Sequence, residues 1–524
     1  MTTVKPLKKR AVAGTFLFRF LEDNNSKKVE VALFRRSGKV RTYQHKLAPV
    51  SGSVEDDDAN PLATALREIK EETTLDLTSI ELLRKGKPYS FTDDDISREW
   101  TINPFAFRLK SVDEGGKGEA GIFIDWEHDG WEWHDPLEVN ESEEFGGVPR
   151  LLDSLRRVWP ECDLGAKAGA ALTSGLESLR NDHESGARQL ASKAVGTLRD
   201  VIAELDTPEM GNGAWWSYVR MTAWHLCYNG RESMGAAIIT SMVTVLDRIE
   251  AVINERRTID EELKQHIVAS IDTFLSQRDS AVERIRDSFI SYVRSNMPKC
   301  SGADKVLSVL TLSSSSTISC SILEAAAALN LTVDLRILES RPLFEGVTLA
   351  SKLLQEAAHN QKVNISLYSD ASAAIAAEGV DLILFGADRI SSTGDVSNKT
   401  GTLPAVLSTR HVSPNARVVV LSEVEKIAGP GTVAEHVVEE NDPAELSRGW
   451  EQGVKGTETV KDYFLKTHDD TKQSGVVVRN VYFEWVPATL IDAYITDEGL
   501  WSTNEIHNKS DWIGQETNRF FEGL

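Results

Sequence analysis

Between residues 305 and 423 five short runs rich in β-branched residues, "KVLSVLTL", "TVDLRILE", "VNISLYS", "VDLILFGA" and "ARVVVLSE", alternate with helical segments such as "ISCSILEAAAALN" and "GVTLASKLLQEAAHN". This alternation constrains the fold more than any other feature, because strands joined by helices pair in parallel and need helices on both faces. The region is therefore expected to form a doubly wound parallel sheet whose ligands bind at the carboxyl ends of the strands. Two other regimes precede it. From about 172 to 296 the apolar spacing is helical almost throughout, as in "LESLRNDHESGARQLASKAVGTLRDVIAEL" and "AAIITSMVTVLDRIEAVI". From about 12 to 150, alternating runs such as "TFLFRF", "VEVALFRR" and "NPFAFRLK" flank one helical pattern, "PLATALREIKEE", which predicts a mixed α+β unit. The Pro, Gly and Ala of "WPECDLGAKAGAALTSG" predict a linker where one periodicity gives way to the next.

A length of 524 residues suits about three domains at roughly 150 residues each. No apolar run approaches the roughly 18 residues that span a bilayer, so a membrane protein is not expected. Lys5, Lys8, Lys9 and Arg10 precede an apolar stretch, but Arg19 interrupts it, and a first strand is expected rather than a signal. The formal net charge of −22 opposes attraction to nucleic acid and anionic membranes, while leaving room for a local basic pocket. Cys162, Cys227, Cys300 and Cys320 are scattered without a CxxC pair. Neither a zinc site nor a disulfide framework is expected, and a cytoplasmic or nuclear location fits.

In "SGSVEDDDANPLATALREIKEETTL", Glu68, Glu71 and Glu72 fall at i, i+3 and i+4, so a helix gathers their carboxylates on one side, with Arg67 one turn from Glu71. Oxygen ligands of this kind suit Mg²⁺ or Mn²⁺, which can polarise a pyrophosphate and activate water; the alternative is a solvated charged face. The order of Gly52, Asp58, Arg67, Glu68, Ile69, Glu71, Glu72 and Leu75 resembles the Nudix box of diphosphate hydrolases. It departs from that pattern by an Asp at 58 in place of Glu, one inserted residue before Arg67, and Thr74 in place of a glycine. The resemblance implies Mg²⁺ or Mn²⁺ held by Glu68, Glu71 and Glu72 as the catalytic carboxylates, and a substrate made of a nucleoside diphosphate linked to another group. A further acid is expected from "EAGIFIDWEHDGWEWHDPLEV", where Trp126, Trp131 and Trp133 serve either to stack on a base or to pack the domain.

Farther along, "DLILFGA" delivers Asp388 and Arg389 at a strand's carboxyl end, and "NKTGT" precedes a helix start capped by Thr402, where free amides and Lys399 suit a phosphate. "LTLSSSSTISC" offers a second cradle, or simply helix caps. With "HESGARQLA", "NGRESMGAAI", "ESRPLFEG", "GADRI" and "VYFEWVP", these stretches resemble the alpha, beta and delta subunits of eukaryotic translation initiation factor 2B and the related methylthioribose-1-phosphate and ribose-1,5-bisphosphate isomerases. The resemblance covers roughly 172 to 520. It implies a sugar-phosphate site in which Arg231, Asp388, Asn398 and Lys399 are kept, with Asp388 the catalytic candidate and Arg231, Ser313, Asn398, Lys399 and Gly401 binding substrate. Ser313 stands where the isomerases carry a cysteine, Ser185 where they carry an arginine, and Glu345 where the methylthioribose enzyme tends to have Gln. A serine moves a proton between carbons less readily than a thiol. Cys320, two helical turns beyond Ser313, is expected in the core.

Together these readings predict an α+β Nudix domain (1–160), an all-helical subdomain (161–298) and a Rossmann-like α/β parallel-sheet domain (299–524). Three functions are open: a Nudix-type hydrolase joined to a part that binds a sugar phosphate or nucleotide, a sugar-phosphate isomerase, or a non-catalytic translation-related scaffold. A homodimer or larger homo-oligomer is expected, with other initiation-factor subunits as candidate partners.

Overall fold

The computed structural model describes residues 7–23, 26–182, 185–206, 212–231, 234–256, 259–297, 305–356, 362–436, 440–450, 454–465 and 476–524. Cys300, the proposed boundary at 298–299 and the loop "HDDTKQSG" lie outside them. The first part contains strands β1 (Lys8–Asp23), β2 (Ser26–Arg36), β3 (Leu47–Ala48) and β4 (Val50–Ser53), helix α1 (Pro61–Thr73), strands β5 (Ile80–Lys85), β6 (Tyr89–Asp93), β7 (Arg98–Leu109) and β8 (His128–His134), and helix α2 (Leu151–Val158). A mixed sheet runs β3-β2-β1-β7-β5, with β4 on β1, β6 on β7 and β8 on β2. Alternation along β1 explains its two covered faces: Ala13 and Leu17 pack beneath α1, and Phe16 and Phe18 pack against α2.

Helices α3 (Glu161–Asn181), α4 (Ala187–Glu204), α5 (Asn212–Tyr228), α6 (Gly235–Arg256), α7 (Glu261–Asp279) and α8 (Ala281–Asn296) follow. The stretch expected as a linker is instead most of α3, kinked at Gly165 (φ 75°). Its alanines favour helix, and Leu164, Ala168, Leu172, Leu176 and Leu179 form a stripe buried against α4 and α5. The helical assembly also ends earlier than expected. Ile285, Phe289 and Val293 of α8 pack on the sheet that follows, because Ser280 interrupts the run after α7 and frees α8 to turn its apolar stripe that way.

The last part comprises β9 (Val306–Thr311), α9 (Ser316–Ala328), β10 (Thr332–Leu338), α10 (Glu345–Glu356), β11 (Val363–Tyr368), α11 (Ala373–Ala376), β12 (Leu382–Gly386), β13 (Arg389–Ile390), β14 (Val396–Lys399), α12 (Thr402–Val412), β15 (Arg417–Ser422), α13 (Pro443–Arg448), α14 (Thr457–Leu465), β16 (Phe483–Val486), β17 (Ala493–Thr496), β18 (Gly499–Trp501) and α15 (Thr503–Phe521). Five predicted runs are strands here, in a sheet of order β11-β10-β9-β12-β15-β17-β18, parallel except for β18. Along β12, Leu382 and Leu384 face α8 and α9 while Ile383 and Phe385 face α12 and α15, which makes the sheet doubly wound. No described helix is long and apolar enough to cross a membrane.

Buried polar groups join the first part to the helices. The Arg84 guanidinium, 1% exposed, meets Glu161 at 2.7 and 2.5 Å and donates to Thr173 Oγ1 at 3.1 Å. The Asn229 amide accepts from the Lys85 N–H at 2.7 Å and donates to its carbonyl at 2.9 Å. Arg157 reaches the Leu524 carbonyl at 2.8 Å. Isolated side chains of this kind would be costly to bury, so the contact is specific in register.

Candidate functional site

Helix α1 is fixed at both ends. Asn60 accepts from the Ala63 N–H at 3.0 Å, Pro61 occupies the first turn, and Thr74 takes the left-handed conformation (φ 61°) that closes the helix. Glycine adopts that conformation at less cost; here the Thr74 N–H donates to Lys70 at 3.0 Å and its hydroxyl to Gly121 at 3.2 Å. Ala65 and Ile69 enter the core, leaving the charged side of the helix toward β4. Arg67 organises that side. It grips both oxygens of Asp58 at 3.2 and 3.0 Å, the Ser53 carbonyl at 3.2 Å, Glu68 at 2.6 Å and Glu71 at 3.3 Å. Arg67, with the Glu55 N–H and Thr64 hydroxyl, holds the Asp58 carboxyl well below the usual range. The inserted residue before Arg67 is thus absorbed by the loop without losing the ion pair.

The three glutamates do not form one cluster. Glu71 is turned to solvent, whereas Glu68 and Glu72 point toward β4 and the 125–128 loop. Glu68 lies directly over Gly52, where a Cβ would stand 1.8 Å from its Oε1. Burial first, and the nearby Glu72 second, push the Glu68 carboxyl up to about 7. Glu72 is 3% exposed; burial, then Glu127 and Asp125, push it well above the usual carboxylate range. Its Oε2 meets His128 Nε2 at 2.5 Å, and its Oε1 is buried with no hydrogen-bond partner. His128, itself held low by burial, was not singled out from the sequence; its place in "EHDG", at the head of β8, was the available signal. Among the described residues no three acidic, histidine or cysteine side chains already converge as ion ligands. Even so, an orphaned buried carboxylate oxygen, an all-oxygen donor pair and a glycine that leaves room for Glu68 fit a hard divalent cation.

Beside these carboxylates opens a cavity of about 630 Å³. Its lining includes Glu55, Glu68 and Glu127 together with Lys8, Arg10, Arg36, Lys39, Arg41 and Arg98. Of the three tryptophans in the acidic loop region, Trp126 is 57% exposed on the cavity wall. Trp131 and Trp133 pack edge to face at 5.5 Å against the core, with Arg19 over Trp133 at 4.3 Å.

A second cavity, about 360 Å³, opens at the carboxyl ends of β9 and β12. It brings together Ser185, Arg231, Ser313, Asp388, Asn398 and Lys399. Ser313, at φ 69°, donates its N–H to Ser340 Oγ at 2.8 Å, and its hydroxyl lies 3.4 Å from Glu345 Oε2. Lys399 pairs with Glu345 at 3.2 Å and sits over Tyr482 and Phe483 at 4.9 and 4.8 Å. Asn398 donates to Thr402 Oγ1 at 2.9 Å and so braces its own loop. Burial pushes the Asp388 carboxyl up, against the pull of Lys426 and Lys399. Arg188, Glu423 and Lys426 line the same cavity and were missed from the sequence. Their signal was position: Glu423 and Lys426 directly follow β15, at the sheet edge where ligands bind.

One expectation is corrected. The amides ahead of α12 do not stand free for a phosphate, because Glu484 Oε1 accepts from the Gly401 N–H at 2.6 Å and the Leu403 N–H at 2.9 Å. The antiparallel pairing of β14 with β16 sets Glu484 opposite Asn398 and delivers an internal carboxylate to that helix start. Gly401 is accordingly a capping position and not a cavity wall. The serine-rich turn keeps its place: Ser314, Ser315 and Ser316 line the cavity at the start of α9, where Ser315 accepts from the Ile318 N–H at 3.4 Å. Cys320 is half-buried on α9, outside that cavity, and burial raises its thiol.

Residues 13–155 match the model of the NUDIX domain, so the first part contains that domain. Residues 183–503 match the initiation factor 2 subunit family model, and the chain belongs to that family. A methylthioribose-1-phosphate isomerase from Desulforudis audaxviator is 34% identical over 166 residues, 31% of this chain and 41% of that protein. One from Xylella fastidiosa is 29% identical over 165 residues, 31% of this chain and 40% of the relative. The chain thus spans about two fifths of the length of these curated relatives. Among solved structures, eIF2B beta from Chaetomium thermophilum aligns with a TM-score of 0.45 at 16% identity, covering 67% of this chain and 94% of that one. The 5-methylthioribose 1-phosphate isomerase of Pyrococcus horikoshii OT3 aligns with a TM-score of 0.43 at 19% identity, covering 67% and 88%. The first part thus carries a NUDIX domain, and the curated relatives of the second part are isomerases.

Proposed function

We propose that residues 1–160 hydrolyse a nucleoside diphosphate derivative and that residues 161–524 bind a sugar phosphate or nucleotide of the kind such cleavage releases. The observation that carries the first half is the buried, partly unpartnered Glu72 carboxylate close behind Glu68, which itself lines a cavity whose walls carry six basic side chains, in a chain of net charge −22. Glu68 and Glu72 would hold Mg²⁺ or Mn²⁺, which supplies charge stabilisation at the diphosphate and a more acidic water. The basic walls orient the phosphates, and Glu127, on the same cavity as Glu68, takes the proton released as water attacks phosphorus. Metal-dependent release of a nucleoside monophosphate from ADP-ribose or a dinucleoside polyphosphate is the test; the reading fails if neither is cleaved or if Glu72→Gln cleaves as fast as wild type.

A second reading, sugar-phosphate isomerisation in the cavity of the sheet part, is favoured by Ser313 lying within reach of the Glu345 carboxylate while the raised Asp388 carboxyl lines the same cavity. Assay of methylthioribose-1-phosphate and ribose-1,5-bisphosphate, with Asp388→Asn as the control, separates it from simple binding: absence of turnover rules it out. Family membership also supports a homo-oligomer and association with initiation-factor subunits. Light scattering and co-purification test those two expectations.

A further inference from the structure

The cavity of the first part carries more positive charge than one diphosphate requires. Lys8, Arg10, Lys39, Arg41 and Arg98 line it, and among the described residues none of the five makes an ion pair. Lys9, by contrast, faces away and pairs with Glu99 at 3.2 Å. A diphosphate beside a divalent cation is already largely neutralised, so unpaired cations beyond it call for further negative charge on the substrate.

Strand β1 sets where that charge lies. Its register with β4 places Ala13 opposite Gly52, and Glu68 lies over Gly52. Val12, Arg10 and Lys8 then follow along the cavity face, with Trp100 opposite Arg10 and Arg98 opposite Lys8 on β7. At roughly 3.3 Å per strand residue, the Cα of Arg10 is about 10 Å and that of Lys8 about 17 Å from the point that marks Glu68. Between the two ends the wall is aromatic: Phe91 pairs with Trp100 across β6 and β7, and the Arg98 guanidinium lies over the Trp100 ring at 5.2 Å. Glu68 near Gly52 and the unpaired Lys8 and Arg98 therefore mark opposite ends of the cavity, with Arg10 and Trp100 level with each other between them.

We infer that the substrate of this site carries, besides the diphosphate that is cleaved, a phosphomonoester displaced from it by the length of a sugar or more, which is bound by Lys8, Arg10 and Arg98 and survives the reaction. The inference rests on the hydrolase reading and narrows its substrate class. Water adds to one phosphorus as Glu127 takes its first proton, the bridging P–O bond breaks, and both protons reach solvent once Glu127 releases the one it took. The products are two phosphate esters, one of which retains the second phosphate.

Calorimetric titration of the full chain carrying Glu72→Gln, with Mg²⁺, compares NADP⁺ with NAD⁺ and coenzyme A with dephospho-coenzyme A, pairs that differ by one phosphomonoester. The phosphorylated member is expected to bind at least tenfold tighter. Lys8→Ala/Arg10→Ala is expected to bring the ratio below twofold, whereas Lys9→Ala, on the outward face, keeps it. Equal affinities within each pair, no binding of any of the four, or a ratio that persists in the double variant would each overturn the inference. The hydrolase reading is judged separately on the wild type: discrimination in binding without cleavage of any diphosphate sinks that reading alone, and cleavage without discrimination sinks this inference alone.

Discussion

Replacing Gly52 by alanine should disable the first site while leaving the fold intact. A Cβ at Gly52 would stand 1.8 Å from Glu68 Oε1 and 1.9 Å from its Cδ, where ordinary contact begins at 3.4 Å. The backbone there is a strand with no positive φ, so alanine fits the chain itself, and the change in unfolded-state entropy favours it by about 0.4–1 kcal/mol. The clash must be resolved by Glu68, whose carboxylate has to retreat by about 1.6 Å and give up its 2.6 Å contact with Arg67. Displacement of a reacting group by about 1 Å costs roughly 100-fold, or about 2.7 kcal/mol of transition-state stabilisation. Initial rates of ADP-ribose hydrolysis with Mn²⁺ should therefore fall by about two orders of magnitude, with the thermal midpoint little changed. Shortening the acid in Gly52→Ala/Glu68→Asp should recover part of the rate. Activity of Gly52→Ala within threefold of wild type would refute the idea that Glu68 works from its seat over Gly52.

Arg84→Ala should cost about 1–3 kcal/mol, because it empties the buried guanidinium's place and leaves the half-buried Glu161 with Thr173 alone; a differential scanning calorimetry midpoint within a degree of wild type would contradict this. His225 is fully buried, and burial first and Arg84 second hold its imidazole well below 6.5. Only the unfolded chain then takes up that proton, so stability should fall as pH drops below about 6.5, and His225→Phe should flatten this limb in urea unfolding at pH 5 to 7. Asp58 has the opposite status, a carboxyl depressed by Arg67: its contribution is present above the unfolded value near 4 and is lost as pH falls toward the folded one. Asp58→Asn should accordingly lower stability at neutral pH and make it fall less steeply between about pH 4 and 2 in urea unfolding followed by circular dichroism, through loss of that one titration.

Much of the sheet was legible because its strands are buried on both faces, and near-continuous runs such as "VDLILFGA" leave few alternatives. The linker expectation failed at Gly165 and its neighbours for a clear reason: small residues weaken local periodicity, yet the stripe from Leu164 to Leu179 still finds a partner surface. The pairing of Arg67 with Asp58 survived an insertion that linear spacing counts as a mismatch, since a loop can absorb a residue where a helix cannot. Pairing across the chain was less visible. Glu484 reaches the helix start at Gly401 only through the β14–β16 register, and His128 reaches Glu72 only through the packing of β8 against β2. A motif identifies which residues carry chemistry, but which of them are already engaged by another part of the chain is a property of the fold.

The central claim is that Glu72 serves a metal-dependent diphosphate hydrolase, and it is tested most directly by one assay of the full chain. ADP-ribose, a dinucleoside polyphosphate and NADP⁺ are incubated with Mg²⁺ or Mn²⁺, and nucleoside monophosphate release is followed for wild type and Glu72→Gln. The account predicts release that requires the metal and falls at least about 100-fold in the variant. No release from any of the three, or equal release by wild type and Glu72→Gln, would contradict it.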